Sequence, residues 1–256
     1  MGSTIVVTGA ARGIGAAIAL KLLEQDFDVI GIDIEPDKNQ WEVKQKITEQ
    51  HQHRWHAMVQ DITEFSQIQK LIQHIVQHHH VVGLVNVAGI LKMTSLLEAT
   101  LEDWQSSIAV NLQAPIVLSQ YVAQHLVQQG GGSIVTVSSN SARMARTQLG
   151  LYATTKAALS HFCRNLGLEV APFNVRVNVV SPGSTLTQMQ KQLWTDEHPP
   201  ASIVDGDLVQ FRTGIPLKRM AQAEDIAHAV VFLLSEQASQ ITMQEIVVDG
   251  GATLGV

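Results

Sequence analysis

Apolar residues in this chain fall into short unbroken runs, separated by longer stretches in which they recur every three or four positions. Runs near 5–7, 29–32, 55–59, 81–87, 133–137, 175–180 and 245–248 read as seven strands. They are continuous rather than alternating, as expected of strands buried on both faces of a parallel sheet. Helical periodicity occupies 13–25, 39–50, 64–79, 101–128, 151–171 and 223–235. Strand and helix therefore alternate, which predicts an α/β fold built of βαβ units: a doubly wound, seven-stranded parallel sheet with helices on both faces. Gly130, Gly131 and Gly132 close one helix before the strand that begins at Ser133. No stretch rich in Pro or Gly divides the chain, so residues 1–256 are expected to form a single domain. The least regular segment, Thr195 to Asp207 with Pro199-Pro200 inside it, suits a mobile substrate lid or an inert surface loop.

Composition agrees with a packed enzyme domain. Hydrophobic residues make up 45% of the 256 and charged residues 16%, too apolar for disorder, and the length suffices for a sizeable core. A net charge of −6 argues against nucleic acid as a partner. Cys163 is the single cysteine, so no intrachain disulfide forms, and its helical position reads as core packing. No apolar run approaches the length of a membrane span, and the start lacks a basic segment followed by an apolar one, so a cytoplasmic protein is expected. His51, His53 and His56, and the run His78 to His80, lack Cys or acidic partners at ligand spacing, so no metal is expected.

Two local patterns carry chemistry. Tyr152 precedes Lys156 by four residues, placing both on one helix face, and Ser139 stands thirteen residues before the tyrosine. A phenol with an ordinary pKa of about 10 is a poor base, but an adjacent ammonium favours the phenolate. Tyr152 is therefore a candidate to take a proton from an alcohol, with the Ser139 hydroxyl holding the same oxygen. At the N-terminus the strand Ile5-Val6-Val7 runs into Thr8-Gly9-Ala10-Ala11-Arg12-Gly13-Ile14-Gly15 and then a helix. That order suits a dinucleotide pyrophosphate, held by helix-start amides that glycines leave accessible. Eighteen residues beyond Gly15 the second strand ends in Asp33, which can accept hydrogen bonds from both ribose hydroxyls of NAD and would repel a 2′-phosphate. Arg12 argues weakly for the phosphate. Asp33, at the ribose itself, outweighs it and favours NAD over NADP.

Taken together, these motifs resemble the classical short-chain dehydrogenase/reductase family over nearly the whole chain. The resemblance implies a Rossmann fold and assigns roles by position. Gly9, Arg12, Gly13, Ile14 and Gly15 form the cofactor loop, and Asp61-Ile62 the adenine contact. Asn86, Ala88 and Gly89 belong to the strand-four motif, and Pro182-Gly183 with Thr185 lies beside the nicotinamide. Ser139, Tyr152, Lys156 and Asn111 complete a catalytic tetrad, which selects Ser139 over Ser138 and leaves Ser138 a structural role. In this family the lysine also holds the nicotinamide ribose, and the asparagine positions a water on the proton path.

The C-terminal half is similar, more narrowly, to the subfamily that oxidises 2,3-dihydro-2,3-dihydroxybenzoate in catecholate siderophore synthesis. The matching stretches include Ala88-Gly89-Ile90-Leu91, Val180 to Thr185, Met189-Gln190, Leu193-Trp194, Gly214 to Leu217 and Ile246 to Gly251. The resemblance implies a small-molecule substrate bearing a carboxylate, Ser184 and Met189 at the substrate, and a homotetramer. A cation near the tyrosine is then expected. Arg146, six residues before Tyr152, is the candidate because guanidinium grips carboxylate in a bidentate fork, while Lys92 stands where the subfamily has arginine. Two other readings remain open. A 3-oxoacyl carrier-protein reductase would share the tetrad but generally uses NADP, which Asp33 disfavours. A non-catalytic NAD-sensing protein would not need the complete tetrad.

Overall fold

A computed structural model describes residues 2–191, 194, 199–209 and 211–255. In chain order the first half comprises β1 (Ser3–Thr8), α1 (Gly13–Glu24), β2 (Asp28–Asp33), α2 (Glu42–Lys46), β3 (Trp55–Val59), α3 (Phe65–His78), β4 (His80–Asn86), α4 (Leu101–Ile108) and α5 (Ala114–Gln129). The second half comprises β5 (Gly132–Val137), α6 (Gly150–Val170), β6 (Val175–Pro182), α7 (Gln188–Lys191), α8 (Ala201–Asp205), α9 (Ala223–Leu234) and β7 (Glu245–Val248). All seven strands pair in parallel in the order β3-β2-β1-β4-β5-β6-β7. Strand order reverses between β1 and β4. In doubly wound sheets ligands bind in the crevice outside the carboxyl ends of the strands at this point.

The continuous apolar runs are explained by burial from both sides. One core packs α1 and α9 against the sheet through Ile18, Leu22, Ile226 and Val230, and the other packs α3, α5 and α6 through Ile68, Leu118, Leu159 and Cys163. A third, smaller cluster joins Ile203, Ile215, Met220 and Ala252 beyond the strand ends, with Trp194 against it. No helix of the described residues is long and apolar enough to cross a membrane.

The helix expected over 39–50 is broken. Trp41 is fully buried and meets Trp55 edge-on with ring centroids 5.9 Å apart. To insert there Trp41 takes an extended backbone (φ −66°, ψ 129°), as does Ile47 (φ −66°, ψ 134°), and only five helical residues fit between them. The long helix expected over 101–128 is interrupted instead by a wider π-helical turn, Ala109–Gln113. Four of the residues within the expected lid, 195–198, lie outside the described residues; the rest includes α8.

Candidate active site

The first turns of α6 carry Tyr152 and Lys156 to the carboxyl end of β5. Ser139 leaves β5 in an extended conformation, and its hydroxyl accepts from the Ser141 amide at 3.1 Å, which fixes its direction. The Tyr152 phenol hydrogen-bonds to that hydroxyl. Ser138 serves the scaffold: its hydroxyl donates to the Lys156 carbonyl at 3.1 Å and accepts from the Ser160 hydroxyl at 2.8 Å, tying α6 to the strand. Lys156 Nζ donates to the Val137 carbonyl at 2.9 Å and stands 5.7 Å from the centroid of the Tyr152 ring.

The fourth member comes from the π-helical turn. A wide turn pushes one residue out of helical register, a device that recurs at functional sites. Here it presents Asn111, fully buried, whose carboxamide pairs with both backbone groups of Ile90: Oδ1 accepts from the amide at 2.8 Å and Nδ2 donates to the carbonyl at 2.9 Å. Nδ2 also reaches Thr155 Oγ1 at 3.4 Å. The Gly89 carbon lies beside both groups, since a Cβ there would stand 3.1 Å from Asn111 Oδ1 and 3.6 Å from Lys156 Nζ. Ser139, Tyr152, Lys156 and Asn111 thus converge from three separate elements.

The electrostatics differ from the expectation that the ammonium depresses the tyrosine pKa. Burial pushes the Tyr152 phenol up to about 12, against the opposing hydrogen bond from Ser139. Burial likewise brings Lys156 down to about 8. The reason is geometric: the ammonium donates to the Val137 carbonyl and lies over the ring, and with both groups buried desolvation dominates at each.

The glycine loop lies at the topological switch. Gly9 takes a left-handed φ of 68°, and a Cβ there would come within 2.8 Å of the Ala88 backbone, so the β1 loop lies directly on the end of β4. Thr8 Oγ1 secures this contact by accepting from the amides of Val87 and Ala88 at 3.1 and 3.3 Å. Arg12 is exposed at the N-cap of α1, with Gly13, Ile14 and Gly15 in its first turn. Among the described residues the amides of Ile14 and Gly15 have no backbone acceptor, which suits a diphosphate. Asp33 Oδ2 accepts from the Ala11 amide at 3.0 Å, placing the carboxylate beside that loop. These groups fit a nicotinamide dinucleotide. Asp61 accepts from the Thr63 amide and hydroxyl at 2.8 and 2.7 Å, while the Ile62 side chain joins the core beneath. Asn86 is buried, donating to Ser119 and Thr136 at 2.9 and 3.2 Å, so its amide braces β4.

On the other side of the tetrad, Pro182 ends β6 and the Gly183 amide donates to the Val248 carbonyl at 3.0 Å. Thr185 is buried, its hydroxyl on the Gly183 carbonyl at 3.1 Å. Ser184 and Arg146 line one small cavity, whereas Met189 sits half-buried on α7. Lys92 is committed elsewhere, paired with Asp103 at 2.8 Å. Of the two cations considered for a carboxylate, Arg146 is the one at the cavity.

The sequence model of the family described as Enoyl-(Acyl carrier protein) reductase, of the short-chain alcohol dehydrogenase type, matches residues 9–253. The chain belongs to the short-chain dehydrogenase/reductase family. It is 41% identical, over all of its length and 97% of the relative's, to a 2,3-dihydro-2,3-dihydroxybenzoate dehydrogenase of Bacillus subtilis (strain 168). It is 40% identical to the enzyme of the same description in Escherichia coli (strain K12), covering 99% of this chain and 98% of that one. In fold it matches the structure titled "ElxO with NADP Bound" with a TM-score of 0.88 over 99% and 100% of the two chains, at 24% identity. As a member of this family it is an oxidoreductase that uses a nicotinamide cofactor.

Several residues of this short-chain dehydrogenase were not singled out by its sequence. Thr155 supports Asn111 through a hydroxyl distant from it in sequence, while Thr8, quoted in the cofactor loop, has a bracing role that its motif did not announce. Glu42 Oε1 accepts from the Gly13 amide at 3.2 Å, from a segment with no motif of its own. Asn140 links Arg146, whose Nη1 donates to Oδ1 at 3.0 Å, to Asp249, which accepts from Nδ2 at 3.1 Å. Asp249 lies in the matched stretch near the C-terminus, and that was its only signal.

Proposed function

We propose that this enzyme oxidises 2,3-dihydro-2,3-dihydroxybenzoate to 2,3-dihydroxybenzoate, with NAD+ as acceptor, in catecholate siderophore biosynthesis. The observation that carries the reading is the full-length similarity to two dehydrogenases of that description, at 41% and 40% identity, joined to an assembled tetrad. The dinucleotide would be held by the loop Gly9 to Gly15, by Asp33 at the adenosine ribose and by Lys156 at the nicotinamide ribose. NAD+, when bound, supplies the hydride acceptor. Ser139 donates to the substrate hydroxyl oxygen and orients it toward Tyr152 Oη, which as phenolate takes the hydroxyl proton. Lys156 stabilises that phenolate, and Asn111, locked on the Ile90 backbone, aligns the water that returns the proton to solvent. Loss of the hydroxyl proton and the geminal hydride leaves a ring ketone, which tautomerises to the aromatic catechol. Aromatisation favours the oxidative direction.

Asp33 favours NAD+ over NADP+, since a carboxylate at the adenosine ribose repels a 2′-phosphate. Family resemblance supports a homotetramer, and light scattering on the purified protein checks the assembly; the single cysteine fits a cytoplasmic protein. Purified protein given NAD+ and the dihydrodiol acid should generate NADH together with a fluorescent catechol acid. No NADH from the acid, with turnover of 3-oxoacyl thioesters instead, would replace this reading by that of a reductase.

A further inference from the structure

Arg212 is half-buried and lines the same small cavity as Arg146, Ser184 and Thr213. Its backbone is fixed by a two-way bridge to Asp207, with the Asp207 amide donating to the Arg212 carbonyl at 2.9 Å and the reverse bond at 2.8 Å. The next residue is anchored too: the Thr213 hydroxyl donates to the Ala252 carbonyl at 2.8 Å. Yet among the described residues the Arg212 guanidinium has no ion pair and no hydrogen bond. The other half-buried arginines are satisfied: Arg54 by Asp26, Arg164 by Glu245, Arg176 by three carbonyls at the end of α9, and Arg146 by Asn140. The nearby acid, Asp249, accepts from Asn140, Gly251 and Thr253 and makes no ion pair with Arg212, its charge acting on Arg146 instead. Burial lowers the Arg146 pKa, the like charge of Arg212 adds to that effect and the charge of Asp249 opposes it, so the two guanidiniums that line this cavity lie close enough to repel. Two cations lie around one cavity that has a single nearby acid, Asp249, and Arg212 has no ion pair or hydrogen bond among the described residues, an arrangement that favours a further anion.

We propose that Arg212 and Arg146 together clamp the carboxylate of the substrate, Arg146 from the loop before the catalytic tyrosine and Arg212 from the bridge beyond α8. The inference rests on the reading of the substrate as a ring carboxylate and names a second, specificity-determining residue for it. Ser184, on the same wall, is placed to donate to a carboxylate oxygen. Removing Arg212 relieves the repulsion on Arg146 but leaves one fork where two acted, so carboxylate affinity falls while recognition of the catechol ring persists.

The test measures binding, separately from turnover. Calorimetry with NAD+-saturated protein gives the affinities of 2,3-dihydroxybenzoate and of catechol for the wild type, Arg212→Gln and Arg212→Lys. Arg212→Gln should weaken 2,3-dihydroxybenzoate by on the order of tenfold or more, with catechol shifted far less and Arg212→Lys between. KM for the dihydrodiol acid should rise more than kcat falls. Equal weakening of both ligands, or none of either, overturns the clamp. Wild-type turnover of the acid alongside such a result leaves the proposed reaction standing without it. Selective loss of 2,3-dihydroxybenzoate binding in an enzyme that does not turn over the dihydrodiol acid would sink the reaction and retain the clamp as a site for another carboxylate.

Discussion

Lys156 Nζ lies over the Tyr152 ring, 5.7 Å from its centroid, and burial drives both groups toward their neutral forms, the phenol up to about 12 and the amine down to about 8. Before cofactor and substrate arrive, the site therefore stores its proton on the tyrosine. An ammonium only 3% exposed is costly to keep, so Lys156 lowers stability at its position, in keeping with the catalytic role proposed for it.

That cost has a definite pH dependence. Lys156 titrates at about 8 in the folded chain against 10.5 when unfolded. Below pH 8 the ammonium is charged in both states and folding carries the burial penalty. Between these values the folded chain sheds its proton first and the penalty shrinks, and above 10.5 it is gone. Lys156→Met should therefore abolish turnover and yet raise stability by about 1–3 kcal/mol at pH 7. Denaturant melts at pH 7 and pH 10 check this. A gain as large at pH 10 as at pH 7 would mean the effect is packing rather than charge.

A base held protonated by burial should also shape the rate profile. With NAD+ saturating, kcat/KM should climb close to tenfold per pH unit below the effective pKa of the phenol, since only the phenolate accepts the proton. Tyr152→Phe should lower turnover by roughly two to four orders of magnitude while calorimetry still detects NAD+ binding. A profile that is flat from pH 6 to 9 would assign the proton to another group.

In the proposed reading, cofactor choice depends on the Asp33 carboxylate. Asp33→Ala should weaken NAD+ by about 1–3 kcal/mol, the value of a charged hydrogen bond with its desolvated partner. Asp33→Asn keeps an acceptor for the Ala11 amide, 3.0 Å away, and removes only the charge, so it should raise the efficiency with NADP+ relative to NAD+. Fluorescence titration with both cofactors decides the matter; an unaltered preference in both variants would show that discrimination lies elsewhere.

The sheet was legible because strands buried on both faces leave unbroken apolar runs: β3 at 55–59 and β7 at 245–248 match their sequence ranges residue for residue. The convergence of four side chains was legible because Tyr152 and Lys156 share one helix turn, and Ser139 and Asn111 stand at the family's positions. What the sequence did not carry was depth. Spacing places Lys156 beside Tyr152 but does not say that both are desolvated, and that reverses the direction of the tyrosine shift. Periodicity ran through 39–50 because nothing local announces that Trp41 enters the core. No local pattern distinguishes a π-helical turn at 109–113 from the helices around it. Arg212 was invisible because its partner in charge, Arg146, is sixty-six residues away and meets it only across a folded cavity.

Arg146 provides the decisive test of substrate class. Its guanidinium donates to Asn140 at 3.0 Å, and Asn140 in turn is held by Asp249, so one hand of the fork is braced while the rest of the group faces the cavity shared with Ser184. If that free edge receives a carboxylate, Arg146→Met should lower kcat/KM for 2,3-dihydro-2,3-dihydroxybenzoate by roughly one to two orders of magnitude, since a charged hydrogen bond contributes about 1.5–3 kcal/mol. A dihydrodiol without the carboxylate starts as a much poorer substrate and should lose far less, so the ratio between the two substrates falls. Losing the Asn140 contact loosens the loop after Ser139, and that contribution lowers both substrates equally. Steady-state kinetics on the pair separates the two effects. A proportionate loss on acid and neutral diol alike would make Arg146 a brace for the Ser139 loop, and the carboxylate would need a different cation.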